Sequence, residues 1–194
     1  GALLEYGAKF NPGSEIVTRT IEGPIHRYTN VDALKRSKQV SQALKSLGIK
    51  MSDRVGTIAF NTYRHFELYY GISGIGVVMN TLNPRLHPEQ FTFIVNHAED
   101  KILFVDFILL PLVEKLFPTF TTVTHVVVMT DSAHMPKEST IQDKLICYED
   151  LIAKFDGDLE WPEIDERLAS SLCYTSGTTG NPKGVLYSHR STVL

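Results

Sequence analysis

The chain has 194 residues, 43% of them hydrophobic, and sets 19 lysine and arginine side chains against 22 aspartates and glutamates, for a formal charge of −3. A sequence of this size buries a sizeable core. With no basic cluster beyond Lys35-Arg36-Ser37-Lys38, it gives a nucleic-acid surface no electrostatic support. Cys147 and Cys173 make neither a metal spacing nor a disulfide framework and suit a reducing, cytoplasmic setting. The longest apolar stretch, 102–113, is broken by Asp106 and Pro111 and falls short of the roughly 20 residues of a transmembrane segment.

The first residues, Gly1-Ala2-Leu3-Leu4-Glu5-Tyr6, lack the charged head and apolar core of a secretory signal. Glu15-Ile16-Val17-Thr18-Arg19-Thr20 and Ile25-His26-Arg27-Tyr28 are β-prone runs on either side of Glu22-Gly23-Pro24, which predicts a hairpin. Thr29-Asn30-Val31-Asp32 fits a capping box and opens a helix with Val31, Leu34, Leu44 and Leu47 on its apolar face and Gly48 at its end. Lys35, Arg36 and Lys38 are expected on the solvated face of that helix.

From Val55 the pattern alternates. Strands are predicted over 55–60, 77–79, 102–105 and 123–129, with helices near 62–74, 88–97 and 109–117. Gly71-Ile72-Ser73-Gly74-Ile75-Gly76 has the wrong spacing for a dinucleotide fingerprint and ends a helix instead of opening one, so it reads as close helix packing. An exposed excursion over 130–144, a short helix over 148–155 and an acidic connector past Trp161 lead to the strand that contains Ser171-Leu172-Cys173, where Cys173 reads as a buried reduced thiol. Short β-branched strands alternating with helices predict an α/β fold, with a mostly parallel sheet covered by helices on both faces. Residues 28–160 form the βα repeats and 170–188 a strand–loop–strand unit, within one domain over 1–194.

Tyr174-Thr175-Ser176-Gly177-Thr178-Thr179-Gly180-Asn181-Pro182-Lys183-Gly184-Val185 carries the chemistry. Glycines let backbone approach an oxyanion, the hydroxyls and amides donate to it, and Lys183 supplies charge. A Walker A loop would place Gly-Lys-Ser/Thr at the opening of a helix. Here Pro182 precedes the lysine and Val185-Leu186-Tyr187-Ser188 reads as a strand, so the loop joins two strands. The seven histidines form no zinc-like pair, and His189 is expected to start a helix. Arg85, after Asn83-Pro84, either pairs with a carboxylate in a turn held by proline or serves a subunit contact or substrate entrance.

The twelve-residue loop closely resembles the signature of the adenylate-forming superfamily: acyl-CoA synthetases, luciferases and peptide-synthetase adenylation domains. Asn80-Thr81-Leu82-Asn83-Pro84-Arg85-Leu86-His87-Pro88-Glu89-Gln90, Asn96-His97-Ala98-Glu99-Asp100 and Tyr187-Ser188-His189-Arg190 resemble its medium- and long-chain fatty-acyl-CoA synthetase branch. The resemblance implies the amino-terminal portion of the large domain of an ATP-dependent, AMP-forming carboxylate–CoA ligase, with ATP, Mg2+ and coenzyme A as cofactor and co-substrates and a small carboxylic acid as substrate. It further implies that Thr175, Ser176, Gly177, Thr178, Thr179, Gly180 and Lys183 hold the phosphates, that Lys183 is catalytic, that Thr175 helps hold the magnesium, and that a homodimer is compatible. The adenine site, the acyl pocket and a mobile carboxy-terminal lysine would fall after Leu194, leaving the isolated chain inert. An adenylation-domain or luciferase-like enzyme, and a non-catalytic α/β interaction module with a vestigial loop, remain alternatives.

Overall fold

The computed structural model describes residues 1–175 and 181–194. A helix, α1 (Ala2–Phe10), and a hairpin of β1 (Glu15–Arg19) and β2 (Ile25–Thr29) precede the long helix α2 (Asn30–Ser46). The chain continues through β3 (Arg54–Ile58), α3 (Tyr63–Ser73), β4 (Val78–Thr81), α4 (Pro88–Ala98), β5 (Ile102–Val105), α5 (Leu110–Leu116), β6 (His125–Val128), β7 (Leu145–Cys147) and α6 (Tyr148–Ile152). Then come β8 (Ala169–Thr175), β9 (Lys183–Ser188) and α7 (His189–Val193), the last begun by His189 as its sequence position predicts.

Seven strands form one sheet in the order β7-β6-β5-β3-β4-β8-β9, every neighbouring pair parallel except β8 and β9. Successive side chains of a strand point to opposite faces. In β5, Ile102 and Phe104 therefore join a core with Val40, Leu44, Leu68, Ile72 and Tyr148, while Leu103 and Val105 join a second core with Phe91, Ile94, Val95, Leu110 and Val113. Helices α2, α3 and α6 cover the first face and α4 and α5 the second, which is why the strands read as unbroken apolar runs.

The N-terminus of α2 matches its sequence signature: Thr29 and Asp32 close a capping box, and Gly48 follows the helix at φ 80°, a left-handed conformation that glycine adopts freely. Its buried face differs from expectation. Val31 is 48% exposed, and Ala33, Ser37, Val40, Ser41, Ala43 and Leu44 face inward. The small residues there let α3 come close. A Cβ at Gly71 would lie 2.7 Å from the Ser37 carbonyl oxygen and from Val40 Cβ, and Ser41 Oγ donates to the Gly71 carbonyl at 2.6 Å. The glycine run is thus a packing element, as its spacing predicts.

The predicted solvated face of α2 needs correction at Arg36. Its side chain is only 23% exposed because Glu67 of α3 and Glu149 of α6 draw it inward, leaving Lys35 as the solvated base. Lys38 is also largely covered, lying 5.4 Å over the Trp161 ring. The structure adds two elements that the pattern did not mark, α1 and the three-residue β7.

Candidate phosphate-binding hairpin

β8 is flanked by β4 on one side and by antiparallel β9 on the other, with Tyr174 opposite Gly184 and Thr175 opposite Lys183. The predicted strand–loop–strand is therefore a hairpin at the rim of a parallel sheet. Opposed residues share a face, so Thr175 and Lys183 stand side by side on the α3 face, and Tyr174 and Gly184 on the α4 face. Thr175 Oγ1 reaches the Lys183 carbonyl at 3.5 Å, both residues are exposed, and neighbouring Pro182 is buried. Cys173, half-buried and not buried as expected, places Sγ 3.3 Å from Thr81 Oγ1, which anchors β8 to β4.

The structure thus brings Thr175 and Lys183 together at the mouth of the hairpin. Ser176, Gly177, Thr178, Thr179 and Gly180 lie outside the described residues. Among the described residues no group of three or more His, Cys, Asp or Glu side chains gathers to hold a metal. A hydroxyl is a weak magnesium ligand by itself, so the Thr175 side fits a cation that arrives already bound to phosphate. Of the two readings of Arg85, no carboxylate pair forms among the described residues; its backbone N–H donates to Asn83 Oδ1 at 3.0 Å and the residue is exposed.

Sequence reasoning missed the groups that buttress this corner. The Tyr174 hydroxyl and His97 Nδ1, at the end of α4, are 2.7 Å apart, and the two rings meet edge to face at a centroid distance of 5.9 Å. Beneath them Asn80 Nδ2 donates to Asp100 Oδ2 at 2.7 Å, with Asp100 fully buried. Burial pushes the Asp100 carboxyl up to about 8, against the pull of Asn80 and Arg54, so it is largely protonated at neutral pH. Only resemblance had singled out 96–100; the contact to Tyr174 spans 77 positions and leaves no periodic signal.

A second polar cluster sits beyond the carboxyl ends of β5 and β6. Arg36 donates to Glu67 at 2.7 Å and to Glu149 at 3.0 Å, and Arg64 donates to Glu149 at 2.8 Å and to the Met129 carbonyl at 3.1 Å. Tyr63 and Tyr148 add hydroxyl donors to Glu149 and Glu67 at 2.9 and 2.6 Å. Burial alone would raise Glu149, but Arg36 and Arg64 hold it below the ordinary carboxylate value. In open α/β sheets, ligands occupy the crevice at strand carboxyl ends. Above β5 and β6 the protein's own side chains occupy that space.

A parallel α/β sheet ending in such a hairpin is the architecture of adenylate-forming enzymes. The chain belongs to the AMP-binding enzyme family, whose profile matches residues 4–194. It is 46% identical over 195 residues to the medium-chain-fatty-acid–CoA ligase of Ectopseudomonas oleovorans, a match covering 100% of this chain and 35% of that protein. It is 45% identical over 195 residues to the 3-methylmercaptopropionyl-CoA ligase of Ruegeria pomeroyi, again covering 100% of this chain and 35% of that protein. The crystal structure of an anthranilate CoA ligase in complex with anthranoyl-AMP superposes with a TM-score of 0.85 at 25% identity, covering 97% of this chain and 34% of that one. The chain spans about a third of the length of these relatives.

Proposed function

We propose that the protein carrying this chain is an ATP-dependent, AMP-forming ligase that joins a carboxylic acid to coenzyme A. Residues 1–194 form part of its catalytic domain, and the β8–β9 hairpin is its phosphate clamp. The pairing of Thr175 with Lys183 at the hairpin mouth carries this reading, because it sets a hydroxyl and an ammonium side by side at an exposed rim. The names of the relatives support a carboxylic acid, in the range of medium-chain fatty acids and 3-methylmercaptopropionate, as the substrate class.

In the first half-reaction a carboxylate oxygen attacks the α-phosphorus of ATP. The bond from that phosphorus to the bridging oxygen breaks, and pyrophosphate leaves with its charge. Fixed donors aimed at the leaving group lower this barrier. Lys183, at about 4 Å from a phosphate oxygen, is worth roughly 4 kcal/mol at an effective dielectric near 20. Ser176, Thr178, Thr179 and the amides of Gly177 and Gly180 would be its partners, and the Thr175 hydroxyl would help hold the magnesium that ATP brings, which would supply charge to offset that of the phosphates. In the second half-reaction the coenzyme A thiol attacks the acyl carbon and AMP leaves.

No described helix is long and apolar enough to cross a membrane. Free cysteines, Cys147 and Cys173, suit a cytoplasmic location, and a homodimer is the proposed assembly. The test is ATP–pyrophosphate exchange by the full-length protein against a panel of carboxylic acids, followed by thioester formation with coenzyme A. Exchange with a fatty acid and thioester formation are expected. Exchange without thioester would favour an adenylation-domain or luciferase-like enzyme, and no exchange with any acid a non-catalytic module.

A further inference from the structure

We infer that His97 and Tyr174 form a positioning brace that fixes the angle at which the hairpin presents Lys183 and Thr175 to the phosphates of ATP; this rests on the phosphate-clamp reading above. Tyr174 and Gly184 are cross-strand partners, immediately inside Thr175 and Lys183. The tyrosine ring lies across the glycine: a Cβ at Gly184 would sit 3.2 Å from Tyr174 Cζ and 3.1 Å from Leu172 Cδ1. An aromatic ring laid over a cross-strand glycine pins strand register at an edge. The absence of a side chain at position 184 is therefore what lets the ring close the base of the hairpin.

The ring is itself tethered. Its hydroxyl meets His97 Nδ1 at 2.7 Å, and His97 stacks on Phe93 one turn earlier, with centroids 5.1 Å apart. The turn that carries His97 is locked to the centre of the sheet: Arg54 of β3 donates Nε to the Ala98 carbonyl at 2.5 Å and Nη2 to Glu99 at 2.6 Å, while Asn80 of β4 holds Asp100. β9, by contrast, pairs with β8 alone among the described residues, and its Leu186 is 62% exposed. The route from the rigid centre of the sheet to the hairpin mouth thus runs from Arg54 and Asn80 through the end of α4 to His97, Tyr174 and Gly184. Neither His97 nor Tyr174 faces the side on which Thr175 and Lys183 stand, so they act through the backbone and not on the ligand.

The experiment uses the full-length protein with Tyr174→Phe, His97→Ala, His97→Asn and the double variant Tyr174→Phe/His97→Ala, read by ATP–pyrophosphate exchange and by hydrogen exchange of the amides over 183–186. Each of Tyr174→Phe and His97→Ala is expected to raise KM for ATP roughly three- to tenfold, the effect of one hydrogen bond, and to leave KM for the acid unchanged. The double variant should be no worse than the worse single, because both remove one contact. His97→Asn, whose amide can stand where Nδ1 stands, should recover most of the loss, and amide exchange over 183–186 should quicken in the two single variants. Additive losses, an equal rise in KM for the acid, or unaltered amide exchange would overturn the brace. If the unmodified protein exchanges pyrophosphate with no acid, the ligase reading falls, and hydrogen exchange still decides whether the brace exists.

Discussion

Glu22, in the turn of the β1–β2 hairpin, accepts a hydrogen bond from Arg64 of α3 at 2.7 Å, and each side chain is only 5% exposed. The pair fastens an otherwise peripheral hairpin to the carboxyl end of the sheet, helped by Thr130 Oγ1, which donates to the same Glu22 oxygen at 2.8 Å. Removing one member of a buried pair leaves an uncompensated charge, which costs about 3–5 kcal/mol. Arg64→Ala strips both Glu22 and Glu149 and should reach that range in urea unfolding. Glu22→Gln, which keeps the shape and leaves Arg64 its bond to Glu149, should cost clearly less. Equal losses would show that Glu149 contributes nothing to holding Arg64.

Asp100 predicts a pH signature. Its carboxyl sits near 8 in the folded protein against an ordinary value of 3.8, so the folded state binds the extra proton, and this contribution to stability fades as pH rises from about 4 to 8. Asp106, raised to about 6 mainly by burial, acts in the same direction over the lower part of that window. His65, lowered by burial to about 4, acts oppositely and only below about pH 6.5. Asp100→Asn keeps the shape without the titration. Its stability relative to the unmodified protein should therefore rise with pH, by up to about 1.4 kcal/mol per unit, in urea titrations run between pH 5 and 8. A constant difference across that range would contradict a protonated Asp100.

Lys183→Met tests the clamp directly. Losing one charged donor in the transition state costs about 2–4 kcal/mol, so pyrophosphate exchange should fall roughly 30- to 1000-fold. The side chain is exposed at a hairpin mouth, and the melting temperature should stay within a degree or two of the parent, as roughly expected for a surface substitution. Undiminished exchange would remove Lys183 from the reaction.

Gly71→Val tests the contact between α2 and α3. The new side chain would meet the Ser37 carbonyl and Val40 at 2.7 Å or closer, and neither helix can retreat without opening the first core. Overpacking of this kind costs about 1–3 kcal/mol, and the melting temperature should drop by several degrees while residual activity, measured cold, persists.

Features written in contiguous residues could be read directly. Thr29 and Asp32 announce a helix start because the cap is local, Gly48 announces its end, and the β-branched runs of β5 and β6 announce strands buried on both faces. Val185-Leu186-Tyr187-Ser188 was legible as a strand for the same reason and lies in β9. Arg36 was not, because burial by a partner 113 positions away looks like any surface base until the sheet brings Glu149 beneath it. The His97–Tyr174 contact, between α4 and β8, is equally non-local, and β7 is too short at three residues to show a period. Cys173, read as buried, is half-buried, because contiguous residues do not show how far neighbouring elements cover a strand.

The position of β8 carries a consequence for folding. Its register with β4 joins Met79 to Ser171, so the parallel pairing that seats the hairpin must close nearly half the chain into a loop, whereas β8 and β9 find each other locally. Such non-local pairings are slow to form. The hairpin can take shape early, but it docks only after β3, β4 and α4 have made the edge that receives it. The β8–β9 corner is then the last part of the described sheet to become protected, and pulse-labelled refolding should show its amides acquiring protection after those of β3 and β5.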